Sequence, residues 1–460
     1  MPERLVVIGG DAAGMSAASQ ARRRRHRRDL EIVAFERGQH VSYSACGIPY
    51  WIGGEVARER DLIARDVATF ADEYGIDVKV QHEVVALDLS TRTVSVRRPD
   101  LGVIEMVGFD QVVVATGAVP VRPDLPGLDA PGVFGVQTLD DGERVRAAVD
   151  EGARRAVVVG GGYVGLEMAE AMARRGLEVT LVEAAPEPMS TLDTELGAMV
   201  REAMAGMGIA VRTGEKVVGV EQGPDGRAVA VRTGGASYPA DLVVLGLGVR
   251  PNTELAAAAG LPLGETGGIR VDRRMRVLGQ DGVWAAGDCV ESRHLIGGHA
   301  VHVPLGTHAN KQGRVIGINL GGGYATFPGV VGTAVTKVCD LEIGRTGLGE
   351  AEARRVGFQP VAATITSTSA AGYLPEPGSA TVKLIAERRT GRLLGGQIVG
   401  RGGAAKRVDV LATAITAGMT VEEMISLDLG YAPPFSPLWD PVLVAARKTA
   451  EAVESAEYRH

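Results

Sequence analysis

The sequence predicts an α/β fold in which two similar strand–turn–helix units precede a C-terminal α+β domain. The apolar run RLVVIG at 4–9 leads into a glycine turn and a helix of small residues, and the same order returns from residue 155 onwards. From residue 327, short apolar segments such as SATVKLIAE and LLGGQIVG follow one another as in an antiparallel sheet. At roughly 150 residues per domain, the chain length predicts about three domains.

The composition narrows the class of protein. The net charge of −7 argues against a nucleic-acid-binding surface. No run approaches the roughly 18 uncharged apolar residues of a membrane-spanning helix. The N-terminal sequence MPERLVVIGGDAAG lacks the features of a signal peptide, and three widely spaced cysteines fit a reducing compartment. We therefore predict a soluble cytoplasmic protein.

The first unit carries the glycine pattern of a dinucleotide-binding turn with one substitution. Its three pattern positions are Gly9, Asp11 and Gly14, and the next strand ends in Glu36. In such a turn the first glycine permits the bend, the second lets the backbone approach a diphosphate, and the third lets the helix lie close to the strand. The acidic residue then binds ribose hydroxyls. Aspartate departs from this pattern, and neighbouring Gly10 is the residue that could provide the clearance.

The second unit matches the pattern in full. Gly160, Gly162 and Gly165 hold its three positions, Tyr163 lies between the last two, and Glu183 ends the following strand. The diphosphate of a bound nucleotide is then expected at the helix N-terminus, where unpaired N–H groups favour negative charge. Because no arginine follows Glu183 in AAPE, NADH is favoured over NADPH. Two complete units together predict two Rossmann-like nucleotide-binding domains.

Further motifs follow in a set order: QVVVATGAVP at 111–120, VVLGLGVRPN at 243–252 and VWAAGDCVE at 283–291. With the two glycine turns, this order resembles that of the FAD-dependent pyridine nucleotide–disulfide oxidoreductases. The resemblance implies that the first unit binds FAD, that the second binds NADH or NADPH, and that Asp288 contacts the ribityl and phosphate part of FAD. The other cofactor-binding residues predicted on these motifs are Ala115, Thr116, Gly117, Gly248 and Pro304.

The resemblance also implies the domain organisation. An FAD-binding domain is predicted from 1–119 and 246–326, with an NAD(P)H-binding domain at 120–245 inserted between these parts. The segment 303–317 resembles the helix that closes over the flavin, and its small residues, Gly313 among them, suit close packing on a planar ring. Residues 327–460 resemble the dimerisation domain of the family, which implies a homodimer. Within it, TVEEMISL opens with a capping box formed by Thr420 and Glu423.

Cys46 lies in VSYSACGIPYWIGG at 41–54, with no other cysteine within thirty positions. Dithiol members of the family carry two cysteines five positions apart. The positions five residues before and after Cys46 are Val41 and Trp51, which excludes a redox disulfide of that kind. The pattern Ser42-x-x-x-Cys46-Gly-Ile-Pro-Tyr resembles the single-cysteine branch: coenzyme A-disulfide reductases, NADH oxidases, NADH peroxidases and persulfide or polysulfide reductases. This implies a reactive thiol, whose thiolate we expect a helix N-terminus or nearby donors to stabilise. Cys289 and Cys339 are predicted to be packed and inert.

A few residues bear on the electron acceptor. The NADH peroxidases and some oxidases of the branch that this chain resembles carry a histidine in the first glycine loop. The loop GGDAAG holds no histidine, so the resemblance argues against peroxide reduction as the main activity. By resemblance to the coenzyme A-disulfide reductases, Tyr431 and Tyr373 are candidates for tyrosines that act in the partner subunit's active site. Tyr431 is the better match, and simple packing competes as an interpretation of Tyr373.

Coenzyme A carries phosphates that guanidinium groups bind well. Arg22, in ARRRRHRR at 21–28, is the candidate for this contact by resemblance. For the rest of that cluster, a solvated helix end near the C-terminal dipole is the better interpretation. Ser42 and Arg65 are further substrate-binding candidates.

These observations predict a homodimeric flavoenzyme that passes hydride from NADH or NADPH through FAD to a disulfide or persulfide at Cys46. Coenzyme A disulfide or a coenzyme A persulfide is the expected substrate, and whether coenzyme A is instead a bound prosthetic group stays open. The alternatives are a polysulfide or persulfide reductase, an NADH oxidase that reduces O₂ through a Cys46 sulfenic acid, and, from another class, a flavin redox sensor. No metal, nucleic-acid or membrane partner is predicted.

Overall fold

A computed structural model describes residues 2–457 of the protein. It has the mixed α/β architecture that the sequence predicts. In the first 120 residues the strands are β1 (Glu3–Ile8), β2 (Leu30–Phe35), β3 (Asp77–Lys79), β4 (Glu83–Asp88), β5 (Thr93–Arg98), β6 (Val103–Gly108), β7 (Gln111–Val114) and β8 (Ala118–Pro120). The helices of this part are α1 (Ala12–Arg22), α2 (Ile48–Ile52) and α3 (Val67–Thr69), with a 3₁₀ turn at Ala45–Gly47.

The middle of the chain contains the second strand–turn–helix unit. Its strands are β9 (Val133–Gly135), β10 (Arg155–Val159), β11 (Glu178–Glu183), β12 (Ala210–Thr213), β13 (Val217–Gln222), β14 (Ala228–Thr233), β15 (Ser237–Pro239), β16 (Leu242–Leu245) and β17 (Val249–Pro251). Its helices are α4 (Leu139–Asp150), α5 (Tyr163–Arg174), α6 (Thr194–Gly206) and α7 (Glu254–Ala258).

The last part contains the antiparallel sheet. The strands are β18 (Val283–Ala285), β19 (Ser292–Arg293), β20 (Ala300–Val301), β21 (Ala334–Val338), β22 (Leu341–Gly347), β23 (Pro360–Ser367), β24 (Ala380–Glu387) and β25 (Leu393–Gly400). The helices are α8 (Gly306–Leu320), α9 (Glu350–Arg355), α10 (Val408–Ala417), α11 (Val421–Ile425) and α12 (Pro441–Glu457). The capping box predicted at Thr420 and Glu423 is confirmed at the start of α11.

Three five-stranded sheets organise the molecule. The first has the order β18-β7-β1-β2-β3 and the second β12-β11-β10-β16-β9, and both are parallel throughout. Their central strands are apolar runs because helices or strands cover both faces, and Leu5, Val6 and Val7 of β1 are fully buried. The third sheet, β21-β22-β25-β24-β23, is antiparallel. In the described part of the chain, no helix is long and apolar enough to cross a membrane.

Helices α1 and α8 approach each other closely because both present small residues at their contact. A Cβ on Gly313 would overlap the Ala13 carbonyl oxygen, and a Cβ on Gly317 would lie 2.5 Å from that of Ala17. The sequence interpretation of Gly313 as packing on a planar ring is therefore wrong. Its missing side chain instead makes room for the backbone of α1.

Candidate active site

The first nucleotide site forms where parallel strands of one sheet end. In the register of β1, β2 and β7, Ile8 lies between Phe35 and Val114, and β18 ends beside β7. The residues that follow these strands therefore meet at one edge, which is where open α/β sheets bind ligands. They are Gly9, Glu36, Ala115 and Asp288.

Glu36 holds the glycine turn in place. Its carboxylate accepts hydrogen bonds from the backbone N–H groups of Gly10, at 2.8 Å, and Gly38, at 2.7 Å. Gly9 has a φ of 110°, and a Cβ there would overlap the carbonyl oxygen of Ala115. Gly14 has no room for a Cβ because it lies against the carbonyl oxygen of Gly9. The turn thus needs glycine at both positions.

The second unit repeats this arrangement. Glu183 accepts hydrogen bonds from the N–H groups of Gly161, at 2.6 Å, and Ala185, at 2.7 Å. Gly160 has a φ of 100°, and a Cβ on Gly165 would overlap its carbonyl oxygen. A Cβ on Gly162, at the N-cap of α5, would meet only open space. Both turns therefore have the shape that a dinucleotide requires, with the approach to the helix N-terminus left free in the second.

A cavity of about 320 Å³ opens beside Glu36 and gives the first site room for the nucleoside part of a dinucleotide. Its walls come from the segment that follows β2, from β8 and from the start of α4. The residues that line the cavity include Glu36, Tyr43, Ala118, Pro120, Asp140 and Asp141. The glycine turn at the N-terminus of α1 and the space beside Glu36 fit the FAD that the sequence resemblance implies.

The chain passes twice between the first and second sheets, and hydrogen bonds join the two connecting segments beside this site. Asn252 donates its backbone N–H to the Gly117 oxygen at 2.9 Å and its side-chain amide to the Thr116 oxygen at 3.1 Å. The Thr116 hydroxyl returns a bond to Asn252 O at 2.6 Å. Gly248, with a φ of 82°, accepts the N–H of Val121 at 2.9 Å. Pro304 lies just before α8.

Asp288 lies close to both this site and α8. The N–H of the preceding Gly287 donates to the Gln312 side chain on α8 at 2.8 Å. His302 Nε2 lies 2.9 Å from the Asp288 backbone oxygen. Burial raises the pKa of the Asp288 carboxyl, and His302 partly opposes this.

Cys46 lies in the 3₁₀ turn that leads into the short helix α2, and its side chain is exposed. Partial removal from water, followed by the carboxylates of Glu167 and Asp288, raises the pKa of its thiol. The sequence predicts that nearby groups stabilise the Cys46 thiolate. In the protein without bound cofactor or substrate, the surroundings of Cys46 instead favour the protonated thiol. Burial and the acidic neighbours together outweigh the backbone N–H group of Cys46, which favours the thiolate.

Glu167 is a site residue that the sequence interpretation missed. It follows Tyr163 by one turn of α5, so the two residues lie on the same face of the helix. The Thr336 hydroxyl donates to Glu167 at 2.8 Å, and burial raises the pKa of both Glu167 and Tyr163. The signal was present in GGGYVGLE, where an acidic residue follows the glycine motif at helical spacing.

The predicted substrate-binding residues are held in place within the chain. The Arg22 guanidinium donates to the backbone oxygens of Arg25, at 3.2 Å, and Gly75, at 3.3 Å, and burial lowers its pKa. Arg65 stacks on the Tyr74 ring at 5.9 Å. Ser42 has a φ of 50° and donates its N–H to the Gly10 oxygen at 3.0 Å. Ser42 thereby places the Cys46 segment against the first glycine turn.

Tyr431 and Tyr373 lie far from Cys46 in sequence, in two loops that adjoin each other. The Ala371 N–H donates to the Pro433 oxygen at 2.9 Å and joins these loops. Tyr373 is 76% exposed and Tyr431 is 49% exposed, and apolar Phe435 and Leu438 nearby in sequence are exposed as well. Both phenols are therefore available to a neighbouring molecule.

The other two cysteines differ in their surroundings. Cys289 is fully buried, its thiol faces the carbonyl oxygens of Ala286 and Val114, and burial raises its pKa to about 11. Cys339 is half-buried, and burial together with Glu170 raises its pKa to about 11 as well. Both thiols are therefore protonated at neutral pH.

Comparison with known families gives two matches that together span most of the chain. Residues 3–313 match the family described as pyridine nucleotide-disulphide oxidoreductase, and residues 333–441 match the dimerisation domain of the same family. The chain is 38% identical to the CoA-dependent NAD(P)H sulfur oxidoreductase of Pyrococcus furiosus, over 97% of this chain and 98% of that protein.

Solved structures give the same result. The structure of a NAD-dependent persulfide reductase from A. fulgidus is similar with a TM-score of 0.95 and 40% identity, over 98% of this chain and 84% of that one. The reduced CoADR-RHD of Bacillus anthracis has a TM-score of 0.95 and 33% identity, over 99% of this chain and 81% of that one.

Proposed function

Because this chain belongs to the pyridine nucleotide-disulphide oxidoreductase family and is an FAD-dependent NAD(P)H oxidoreductase, we propose that it reduces coenzyme A disulfide, or a coenzyme A persulfide, at Cys46. FAD, when bound, supplies the chemistry that accepts hydride from NAD(P)H and delivers two electrons to sulfur. The observation that carries the proposal is the exposed Cys46 thiol, held beside the first nucleotide turn and close to Glu167 and Asp288.

The protein's part in the reaction begins with the two glycine turns. Glu36 and Glu183 fix them through paired backbone N–H bonds and face the ribose positions. Because no arginine follows Glu183, NADH is the proposed donor. Ala115, Thr116, Gly117, Gly248, Asp288 and Pro304 are proposed to line the FAD site, and Tyr163 and Glu167 to adjoin the nicotinamide.

The sulfur chemistry takes place at Cys46. Its thiolate attacks one sulfur of the disulfide, the S–S bond breaks, and the first coenzyme A leaves as a thiolate that takes up a proton. Two electrons from NADH then break the S–S bond between Cys46 and the second coenzyme A. The second coenzyme A leaves as a thiolate that also takes up a proton, and the Cys46 thiolate is restored. The phenol of Tyr431, with Tyr373 beside it, is proposed to give the leaving thiolate its proton from the partner subunit.

The proposed assembly is a homodimer that works in the cytoplasm. The match to a dimerisation domain and the exposed loops of Tyr373 and Tyr431 support the first part. Three free cysteines in the described residues support a reducing compartment. Arg22, Ser42 and Arg65 remain the proposed contacts to coenzyme A. To bind coenzyme A, the Arg22 guanidinium must give up its hydrogen bonds to the backbone oxygens of Arg25 and Gly75 and donate to a phosphate instead.

Substitution of the reactive thiol tests the proposal. Cys46→Ser should retain FAD and be reduced by NADH in a stopped-flow spectrometer, because neither nucleotide turn is changed. Its turnover of coenzyme A disulfide should fall to background. Cys339→Ser is the matched control, since its thiol is also accessible in part and should leave turnover unchanged. Turnover in Cys46→Ser equal to that of the unsubstituted protein would refute the mechanism.

Persulfide reduction is the second candidate, and the similarity to the A. fulgidus persulfide reductase favours it. Intact mass of the unreduced, denatured protein, before and after a reductant, separates the two. A reductant-labile adduct with the mass of coenzyme A at Cys46 supports disulfide reduction. An adduct of sulfur alone supports persulfide reduction, and an adduct of oxygen alone favours an NADH oxidase.

A further inference from the structure

Asp11 occupies, in the first nucleotide turn, the position that Gly162 occupies in the second. Both residues are N-caps with extended backbone, Asp11 at φ −107° and ψ −156° and Gly162 at φ −80° and ψ −172°. At Gly162 a Cβ would point into open space. That space is where the nucleotide diphosphate passes in such a turn. The Asp11 side chain therefore stands in the path of the FAD diphosphate.

The surroundings of Asp11 are acidic. Removal from water is the largest effect and, with the carboxylates of Glu36 and Asp288, raises the Asp11 pKa to about 7. The backbone N–H groups of Ala12 and Tyr43 oppose this only in part. The Tyr43 phenol also faces this group, and its own pKa is raised by burial and then by Asp11.

The charged groups that face Asp11 come from every element around it. Glu36 ends β2, Asp288 follows β18, and Tyr43 belongs to the segment before Cys46. His302 lies behind Asp288 and offsets part of the charge there. The charged groups with the largest effects on the Asp11 pKa are both carboxylates, Glu36 and Asp288. An ionised Asp11 would thus add to the negative charge that the FAD diphosphate meets at this turn.

A neutral carboxylic acid solves this conflict, because its O–H donates a hydrogen bond to a phosphate oxygen whereas a carboxylate only accepts. We propose that Asp11 binds the FAD diphosphate as a protonated carboxylic acid, so that FAD binding above neutral pH takes up one proton from solvent. The proton resides on the Asp11 oxygen that faces the phosphate. This inference depends on FAD binding and is independent of which sulfur compound the enzyme reduces.

The pH dependence follows from linkage. Below about pH 7 Asp11 is already neutral in the flavin-free protein, and FAD affinity should not change with pH. Above this pH each unit should weaken FAD binding by up to about tenfold, because the proton must be taken up on binding. The dependence ends where the pH passes the higher pKa that Asp11 has beside the diphosphate.

FAD retention by the holoenzyme tests the proposal without any turnover. The holoenzyme is diluted, and the free FAD is measured at equilibrium by its fluorescence from about pH 6 to about pH 9. We expect the dissociation constant to rise by up to about 100-fold between about pH 7 and about pH 9 in the unsubstituted protein. In Asp11→Asn, whose amide donates at every pH, it should change by less than about threefold.

Asp129→Asn is the matched control, because the Asp129 side chain is 95% exposed, and neither Asp129 nor its ion-pair partner Arg122 lines the cavity beside Glu36. It should keep the pH dependence of the unsubstituted protein. A flat profile in the unsubstituted protein, or an unchanged slope in Asp11→Asn, would overturn the proposal. If Asp11→Asn retains no FAD, Asp11→Gly is used instead, since glycine restores the pattern of the second turn. A dissociation constant that does not change with pH in Asp11→Gly supports the proposal, and one that still rises with pH overturns it.

Discussion

Cys46 and Glu167 show how a single residue's chemistry depends on a neighbour distant in sequence. Glu167 is the charged group with the largest effect on the Cys46 thiol, and both carry raised pKa values because each is partly withdrawn from water. A thiol needs ionisation to attack a disulfide. The chain alone therefore keeps Cys46 mostly protonated at neutral pH, and bound cofactor and substrate act on this starting state.

The effect of Glu167 on Cys46 can be measured directly. Glu167→Gln removes a nearby negative charge, so the pKa of Cys46 should fall and its alkylation by iodoacetamide at about pH 7.5 should become several-fold faster. The rate is followed by mass spectrometry of the Cys46 peptide. Glu55→Gln is a suitable control, because Glu55 lines the neighbouring cleft with Glu167 but is not among the groups with the largest effects on the pKa of the Cys46 thiol. Equal rates in all three proteins would show that Glu167 does not influence Cys46.

At the scale of elements, the sequence predicts most where the pattern is local. The glycine turns, the acidic residues Glu36 and Glu183 that follow the second strands, and the capping box of α11 all depend on neighbours a few positions apart. The α/β fold class and the antiparallel C-terminal sheet follow from the same patterns. The family and its redox activity then follow from the order of these motifs.

What the sequence could not predict depends on contacts between distant elements. Gly313 indicates a close approach, but its pattern does not say whether a ring or the backbone of α1 is the neighbour. Glu167 approaches Cys46 because α5, which is distant in sequence, packs on α2. For Asp11, the sequence shows only that an aspartate replaces the second glycine of the dinucleotide-binding pattern. The carboxylates that surround it come from β2 and from the segment after β18, and only the folded sheet brings them together.

At the scale of the whole molecule, a buried lysine joins the second nucleotide-binding unit to the C-terminal sheet. Lys383 on β24 has a side chain that is 4% exposed and contacts three carboxylates: Asp193 at 2.8 Å, Glu195 at 2.5 Å and Glu350 at 2.7 Å. Asp193 and Glu195 lie at the start of α6, and Glu350 begins α9. Asp193 also exchanges two hydrogen bonds with Gln397 of β25. This cluster therefore links the second strand–turn–helix unit to the C-terminal sheet.

Removal of this lysine should destabilise the molecule strongly. Burial alone would lower the pKa of Lys383, but the hydrogen bonds that its ammonium group donates to the three carboxylates outweigh burial and raise the pKa, so the lysine is charged throughout the neutral range. Lys383→Met leaves the carboxylates without a cation and should lower the free energy of unfolding by about 3–5 kcal/mol, as seen when one partner of a buried ion pair is removed. Urea unfolding followed by tryptophan fluorescence and circular dichroism measures this.

Lys406→Met provides the comparison, because the Lys406 side chain is 77% exposed and pairs only with Asp409, one helical turn away. Its loss should cost no more than about 0.5 kcal/mol, since solvent screens such a pair. Equal stabilities of the two variants would mean that the three carboxylates find enough solvation without Lys383, and that the two parts of the molecule are held together by apolar packing alone. A second, earlier transition in Lys383→Met, with the first nucleotide-binding unit still folded and holding FAD, would show that this cluster couples the units during unfolding.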